Sequence, residues 1–506
     1  MKEIANLAQI VTSRGGVAPP VLDFLWDEPG KEPSKELQLT RALALGPAVT
    51  QTALTRQLYG DASAKHLNLV RKLKSRTQRK LLNHLYFLDH TDPRLLVSRR
   101  YEMECLDQLH KAVLLYGEGE YVLSERLLLR CLHEAEAGEF TDYALQAMKL
   151  LRNLYAEQRR EPAFRAMAKR LQQLQKTYLL EQEAEAIYAD TRLVMAQNVA
   201  ARRAMLPQML GLLAQLDSLH RRANTFNTFY CVYQLRLSYE EQRGNYPEMV
   251  RVATLAARNL HEGRLNARRF DRRFNHYVLV LGYLNSRQPL EGLKKAGMYL
   301  QDFHTTSSNW LHFQETHLLL ALHAQQYEKA RQLLKTCSES PTFSKLRETA
   351  RDRWELYEAY LEFVLPAQRL TPAQQRRRER WTLVLPEFSA DKRGHNISLL
   401  VLQVLHYLRH GTVEDVTTRL ENLRSYRQRY LREDYAARTR QFIGLLLLLP
   451  DKNFGAAALK ARSRNPLRKL QETPIPGGAY AETEIIPYEN LWALVLKELE
   501  HRRWEE

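Results

Sequence analysis

Between Asp61 and Asp89 the chain has no acidic residue and seven cations: Lys65, Arg71, Lys72, Lys74, Arg76, Arg79 and Lys80. At about 100° per residue, Lys65, Lys72, Arg76 and Arg79 fall within an arc of about 60° on a helix, opposite Leu67, Val70, Leu81 and Leu85. A cationic strip backed by an apolar strip suits a helix laid along a phosphate backbone; the same pattern also serves as the solvated face of a capping helix. A second cluster, "RLNARRFDRRFNHY", sets Arg264, Arg268, Arg269, Arg272 and Arg273 around the single acid Asp271 at a turn. "QQRRRERW" repeats the pattern with Arg376, Arg377, Arg378 and Arg380. Guanidinium forks bind carboxylate or phosphate in bidentate fashion, so these residues are candidates for an acidic partner.

Covalent chemistry finds no comparable signature. The chain has no phosphate-binding glycine loop, no H-E-x-x-H, no G-x-S-x-G elbow and no dinucleotide fingerprint. His133-Glu134 lacks a second His four residues on, and Glu134 and Glu136, two apart on a helix, face different ways. The expectation is a non-enzyme without metal, cofactor or small-molecule ligand. Four separated cysteines, Cys105, Cys131, Cys231 and Cys337, form no C-x-x-C pair, which points to a reduced cytoplasm. The longest apolar run, "IGLLLLLP", is far short of the ~20 residues that cross a bilayer, so no membrane partner is expected.

The elements that must position these cations are helices. The 506 residues exceed what one compact core usually holds, and Lys plus Arg outnumber Asp plus Glu by 75 to 58, a net charge of +17 that favours acidic partners. Val97, Tyr101, Cys105, Leu109, Ala112 and Tyr116 recur in steps of three and four. Leu123, Leu127, Leu128, Cys131, Leu132 and Ala135 do the same beyond Gly117-Glu118-Gly119, so the two stretches form a helical hairpin. Helix-opening positions after turns fall at Tyr121, Ala163, Ala204, Tyr246, Leu290, Tyr327, Leu370 and Val413. The spacing is about 42 residues, within the range of helical solenoids. The expected fold is all-α: a right-handed α-solenoid of about eight αα-hairpins, with an N-terminal three-helix module and a C-terminal capping helix. An ordinary multi-helix bundle would give similar stripes.

The chain divides into an N-terminal segment and linker over 1–36, a three-helix module over 37–90, repeats over 91–450, and a basic linker with capping helix over 451–506. Within the module the pattern reads helix, turn at Gly46-Pro47, short helix over Gln51 to Tyr59, turn at Gly60-Asp61, and a long helix from Ser63 to about Leu88.

"YEEQRGNYPEMVRVATLAARNL" and "LHAQQYEKARQLLKTC" resemble the tetratricopeptide repeat, with Tyr246 and Tyr327 in its aromatic slot and Ala330 in its small-residue slot; Met249 departs from the latter. "LALGPAVTQTALTRQLYGD" followed by "LVRKLKSRTQRKL" resembles bacterial regulators that join a winged helix to such repeats, although "LLNHLYFLDHTDPRLLVSRRYEM" reads as helix, cap and helix where that family has a β-hairpin wing. The C-terminal "EIIPYENLW" is similar to a group of large bacterial helical-repeat proteins, a likeness that implies no activity. The architecture points to a protein scaffold holding an acidic segment on a concave face. The alternative is a DNA-binding regulator contacting the backbone through Lys65, Lys72, Arg76 and Arg79.

Overall fold

In the computed structural model, helix α4 (Arg99–Gly117) ends where the N–H of Glu120 donates to Leu115 O at 2.9 Å and Gly119 between them adopts φ +78°. This six-to-one bond is a Schellman turn, which satisfies the orphan carbonyls of a helix end and sends the chain back on itself. The same three-residue turn recurs at residues 138–140, 158–160, 243–245, 286–288 and 324–326. The left-handed position is glycine at Gly119 and Gly244, but Glu139, Arg159, Arg287 and Gln325 hold it elsewhere. Glycine therefore marks only some of the turns that the fold uses.

The structure describes residues 33–45, 50–84, 90, 92, 94–365, 395–431, 436–450, 454–477 and 484–501. Among these every regular element is helical and none is a strand. The N-terminal helices are α1 (Lys35–Leu45), α2 (Gln51–Tyr59) and α3 (Ala64–His84). After α4 come α5 (Tyr121–Ala137), α6 (Thr141–Glu157), α7 (Glu161–Met195), α8 (Val199–Ala223), α9 (Phe226–Gln242) and α10 (Tyr246–His261). Then follow α11 (Arg272–Asn285), α12 (Pro289–Tyr299), α13 (Ser308–His323), α14 (Tyr327–Ser338) and α15 (Glu348–Val364). The last are α16 (His395–His410), α17 (Val413–Tyr430), α18 (Ala437–Leu446), α19 (Ala456–Arg462), α20 (Arg464–Glu472) and α21 (Tyr488–His501).

From α4 to α14 each helix packs on the next in the chain, and α4 also meets α6, α7 meets α9, and α11 meets α13. The α4–α5 hairpin shows how the apolar stripes do this: Cys105, Leu109 and Ala112 are buried against Leu128, Cys131 and Ala135, and the Ser124 hydroxyl donates to Ala112 O at 2.9 Å. Fully buried leucines such as Leu151 and Leu154 each contribute about 1.5–3 kcal/mol. Helices open at Tyr121, Tyr246, Tyr327 and Val413 as expected, and within two residues of Ala163 and Leu290. Leu370 lies outside the described residues. The expected regularity fails between Ala163 and Ala204, where α7 runs unbroken for 35 residues and α8 opens at Val199.

The first three helices pack on one another around Leu39, Ala42, Leu54, Leu58, Val70 and Leu73. Thr50 caps α2 by accepting the Ala53 N–H, and Gly60, at φ +85°, closes it. The Gly46-Pro47 turn and the end of the expected long helix, residues 85–88, fall outside the described residues.

The C-terminal part departs from the expected linker. Residues 456–472 form α19 and α20, whose Leu459 and Leu470 are fully buried. Helix α21 buries Trp492, Val495 and Leu499 against α16, α18, α19 and α20, with the Trp492 indole donating to Ser463 Oγ at 3.1 Å. Beyond α20, residues 473–477 run back as a strap over the α9–α10 turn: the Tyr246 hydroxyl donates to Pro476 O at 2.9 Å, and Ile475 packs among the α9–α11 side chains. Arg438, almost wholly buried, anchors the strap by donating to Leu470 O and Thr473 O and pairing with Glu484 and Glu489.

Candidate nucleic-acid interface

Helix α3 turns Val70, Leu73 and Thr77 inward, steps of three and four that define one buried face. The expected apolar strip is only partly right, since Leu81 is more than a third exposed. Opposite this face, Lys65, Lys72 and Arg79 are exposed and make no ion pair with any described residue. Arg71 and Lys74, off this strip, are exposed and unpaired as well.

Arg76 behaves differently. It sits at the border of the strip, and its guanidinium pairs with Glu36 of α1, whose other oxygen accepts from Lys80 Nζ at 2.9 Å. Glu36 is buried, so these two cations offset the desolvation of its carboxylate and tie α1 to α3. The α2–α3 turn is braced independently: His66 stacks on Tyr59 and its Nδ1 lies 2.5 Å from Asp61 Oδ1. The Ser63 backbone N–H and the His66 ring hold the Asp61 carboxyl down at about 2.

The arginine turn is occupied by the protein itself. Arg268 pairs with Glu134 at 2.6 Å and lies over the Tyr101 ring. Arg269 donates to Glu139 O and to Asn227 Oδ1, both at 2.7 Å, with its guanidinium between the Phe140 and Phe226 rings. Arg273 pairs with Asp271 and donates to Leu95 O at 2.6 Å. Arg272 alone of these four is exposed. Arg268, Arg269 and Arg273, the candidates for an acidic partner, are thus engaged within the protein, where their planar forks satisfy carbonyls and carboxylates near helix ends. Arg376, Arg377, Arg378 and Arg380 lie outside the described residues.

Two residues that sequence reasoning did not single out complete this brace. Glu181 is buried on α7 and accepts from Thr141 Oγ1 at 3.0 Å and from Asn227 Nδ2 at 3.1 Å; burial pushes its carboxyl above the usual range. Glu139, at a left-handed turn position, accepts the Phe226 N–H at 2.6 Å. No local pattern marks either one, because their partners lie tens of residues away.

All four cysteines are buried as free thiols, and burial pushes Cys231 and Cys337 up to about 12. Among the described residues no three His, Cys, Asp or Glu side chains come together as a metal site, and no helix is long and apolar enough to cross a membrane. No protein-family model, curated protein or solved structure matches the chain.

Proposed function

We propose that α3 binds the phosphate backbone of duplex DNA through Lys65, Lys72 and Arg79. The observation that carries this reading is the contrast between the two cationic clusters: the arginine turn is spent internally, while these three cations project unpaired from a module with its own core. Lys65 to Arg79 spans about 21 Å of helix axis, long enough to follow several phosphates. Such contacts fix position without reading bases, and sequence-independent binding is the outcome to expect. Arg76 is a strut for Glu36 before it is a DNA contact.

A gel-shift titration with double-stranded DNA tests the reading. Three phosphate contacts give a slope of log K against log salt of about −2.7, and Lys65→Glu, Lys72→Glu and Arg79→Glu together abolish the shift. Arg76 stays unchanged in this variant so that the module keeps its brace. A shift of equal strength from the triple variant overturns the proposal.

The helices α4 to α15 support a right-handed α-solenoid of stacked hairpins as the frame that carries the module, because each packs on its chain neighbours and some on the next but one. The scaffold reading, with an acidic segment on the concave face, shares this support, while Arg268, Arg269 and Arg273 are already engaged within the protein.

A further inference from the structure

A cleft of about 790 Å³ opens where His90, Asp92 and residues 95–100, leading into α4, meet the end of α10, the start of α11 and Asp302. That volume lies in the range of small-ligand sites. Two of its three carboxylates are paired with arginine, and the third lies beside a histidine. Asp271 pairs with Arg273 at 3.0 Å, Asp92 accepts from Arg94 Nε at 2.9 Å, and Asp302 Oδ2 lies 2.8 Å from His276 Nδ1. Two lining cations, Arg100 and Arg272, face no carboxylate; Arg100 lies instead over the Tyr101 ring at 4.4 Å. The exposed His261 on the rim is likewise without an acid partner. With Asp92 paired to Arg94, the lining arginines Arg100, Arg272 and Arg273 outnumber the remaining carboxylates, Asp271 and Asp302, so the cleft keeps an excess of positive charge.

The lining also holds an amide whose oxygen is taken and whose nitrogen is not. Asn275, 1 % exposed, accepts the Tyr233 hydroxyl at 2.5 Å through Oδ1, and its amide nitrogen donates to no described residue. His276 is stacked on Tyr299 at 3.7 Å, with its Nδ1 held beside Asp302. An amide donor that lines a ligand-sized cleft is available to a ligand that enters. Leu95, Leu260 and Phe270 supply apolar wall beside them.

We propose that this cleft binds a small organic phosphate. Its phosphate lies on Arg100, Arg272 and the Asn275 amide, and its ring-bearing body lies against Leu95, Leu260 and Phe270. Two guanidinium forks and an amide offer more donors than the two oxygens of one carboxylate can use, whereas a phosphate monoester presents three terminal oxygens. This site is separate from α3 and does not rest on DNA binding.

Isothermal titration of the full chain with AMP and with glucose 6-phosphate tests it, with adenosine, citrate and inorganic phosphate as controls. At least one of the two organic phosphates binds, at least tenfold more tightly than every control. Arg100→Ala with Arg272→Ala weakens that binding at least tenfold. Both arginines are exposed, so this variant keeps its unliganded melting temperature. The Lys65→Glu, Lys72→Glu, Arg79→Glu variant binds the same ligand unchanged, which separates this site from the basic helix. Failure of both organic phosphates to bind, equal binding of any control, or equal binding by the Arg100/Arg272 double variant overturns the proposal.

Discussion

Gly244 and Gly477 meet backbone to backbone. A Cβ on Gly477 would fall 2.6 Å from the Gln242 carbonyl carbon and closer still to Gln242 O and Gly244 N, while a Cβ on Gly244 would meet Ile475 O at 2.9 Å and Gly477 N at 3.0 Å. Gly244 thus serves two purposes, the left-handed turn after α9 and the seat of the strap. Gly119, at the corresponding turn, has open space around it. Gly477→Ala is expected to lift the strap and destabilise the protein by about 1–3 kcal/mol, because both clashing surfaces are backbone that cannot rotate away. Hydrogen exchange would rise at residues 243–246 and 473–477 together. Unchanged protection at both would show that the strap is not held there.

Arg269 separates bracing from binding. Arg269→Ala strips the α5–α6 turn of its guanidinium donor to Glu139 O and vacates the space between Phe140 and Phe226. We expect a loss of about 2–4 kcal/mol in a urea melt, since buried acceptors are left unpaired, with DNA affinity unchanged at temperatures where the variant is folded.

Buried histidines make the fold sensitive to acid. Burial pushes His317 down to about 4, with a smaller push from Lys329, and burial also lowers His220, His276 and His323 below the ordinary range. His317 Nε2 has no hydrogen-bond partner to hold a proton. The unfolded chain takes up a proton near 6.5, the folded chain only near 4; stability from neutral His317 is thus fully present above 6.5 and is lost as pH falls toward 4. Between pH 7 and pH 5 His317 alone accounts for about 2 kcal/mol. His317→Gln should shrink the difference between urea midpoints at those two pH values, and an identical pH dependence would contradict the assignment.

The non-glycine turns offer room for stabilisation. Gln325 is exposed at φ +57°, a conformation that costs an L-residue about 1–2 kcal/mol and a glycine far less. Gln325→Gly is expected to gain up to about 1 kcal/mol, reduced by the extra freedom glycine brings to the unfolded chain. A thermal melt checks it; a lower melting temperature would mean that the turn carries little strain.

Local signals in the sequence were sufficient for the helices themselves. The steps of three and four in α4 and α5, the glycine at 119, and the limits of α2 all depend on contacts within a turn or two of the chain, and the cationic face of α3 follows from helical geometry alone. The turn at Glu139 escaped because no glycine stands in its left-handed position, whereas those at Arg159, Arg287 and Gln325 were legible from the helix openings that follow them. Only the tertiary structure decided what the arginines do. Arg268 finds Glu134 and Arg273 finds Leu95 O across more than a hundred residues, whereas Lys72 and Arg79 find no described acid at all, and composition is blind to that difference. The strap at Gly244 and the cleft around Asn275 likewise exist only where distant segments meet, since a burial or an unmatched charge belongs to a pair of surfaces and not to a stretch of chain.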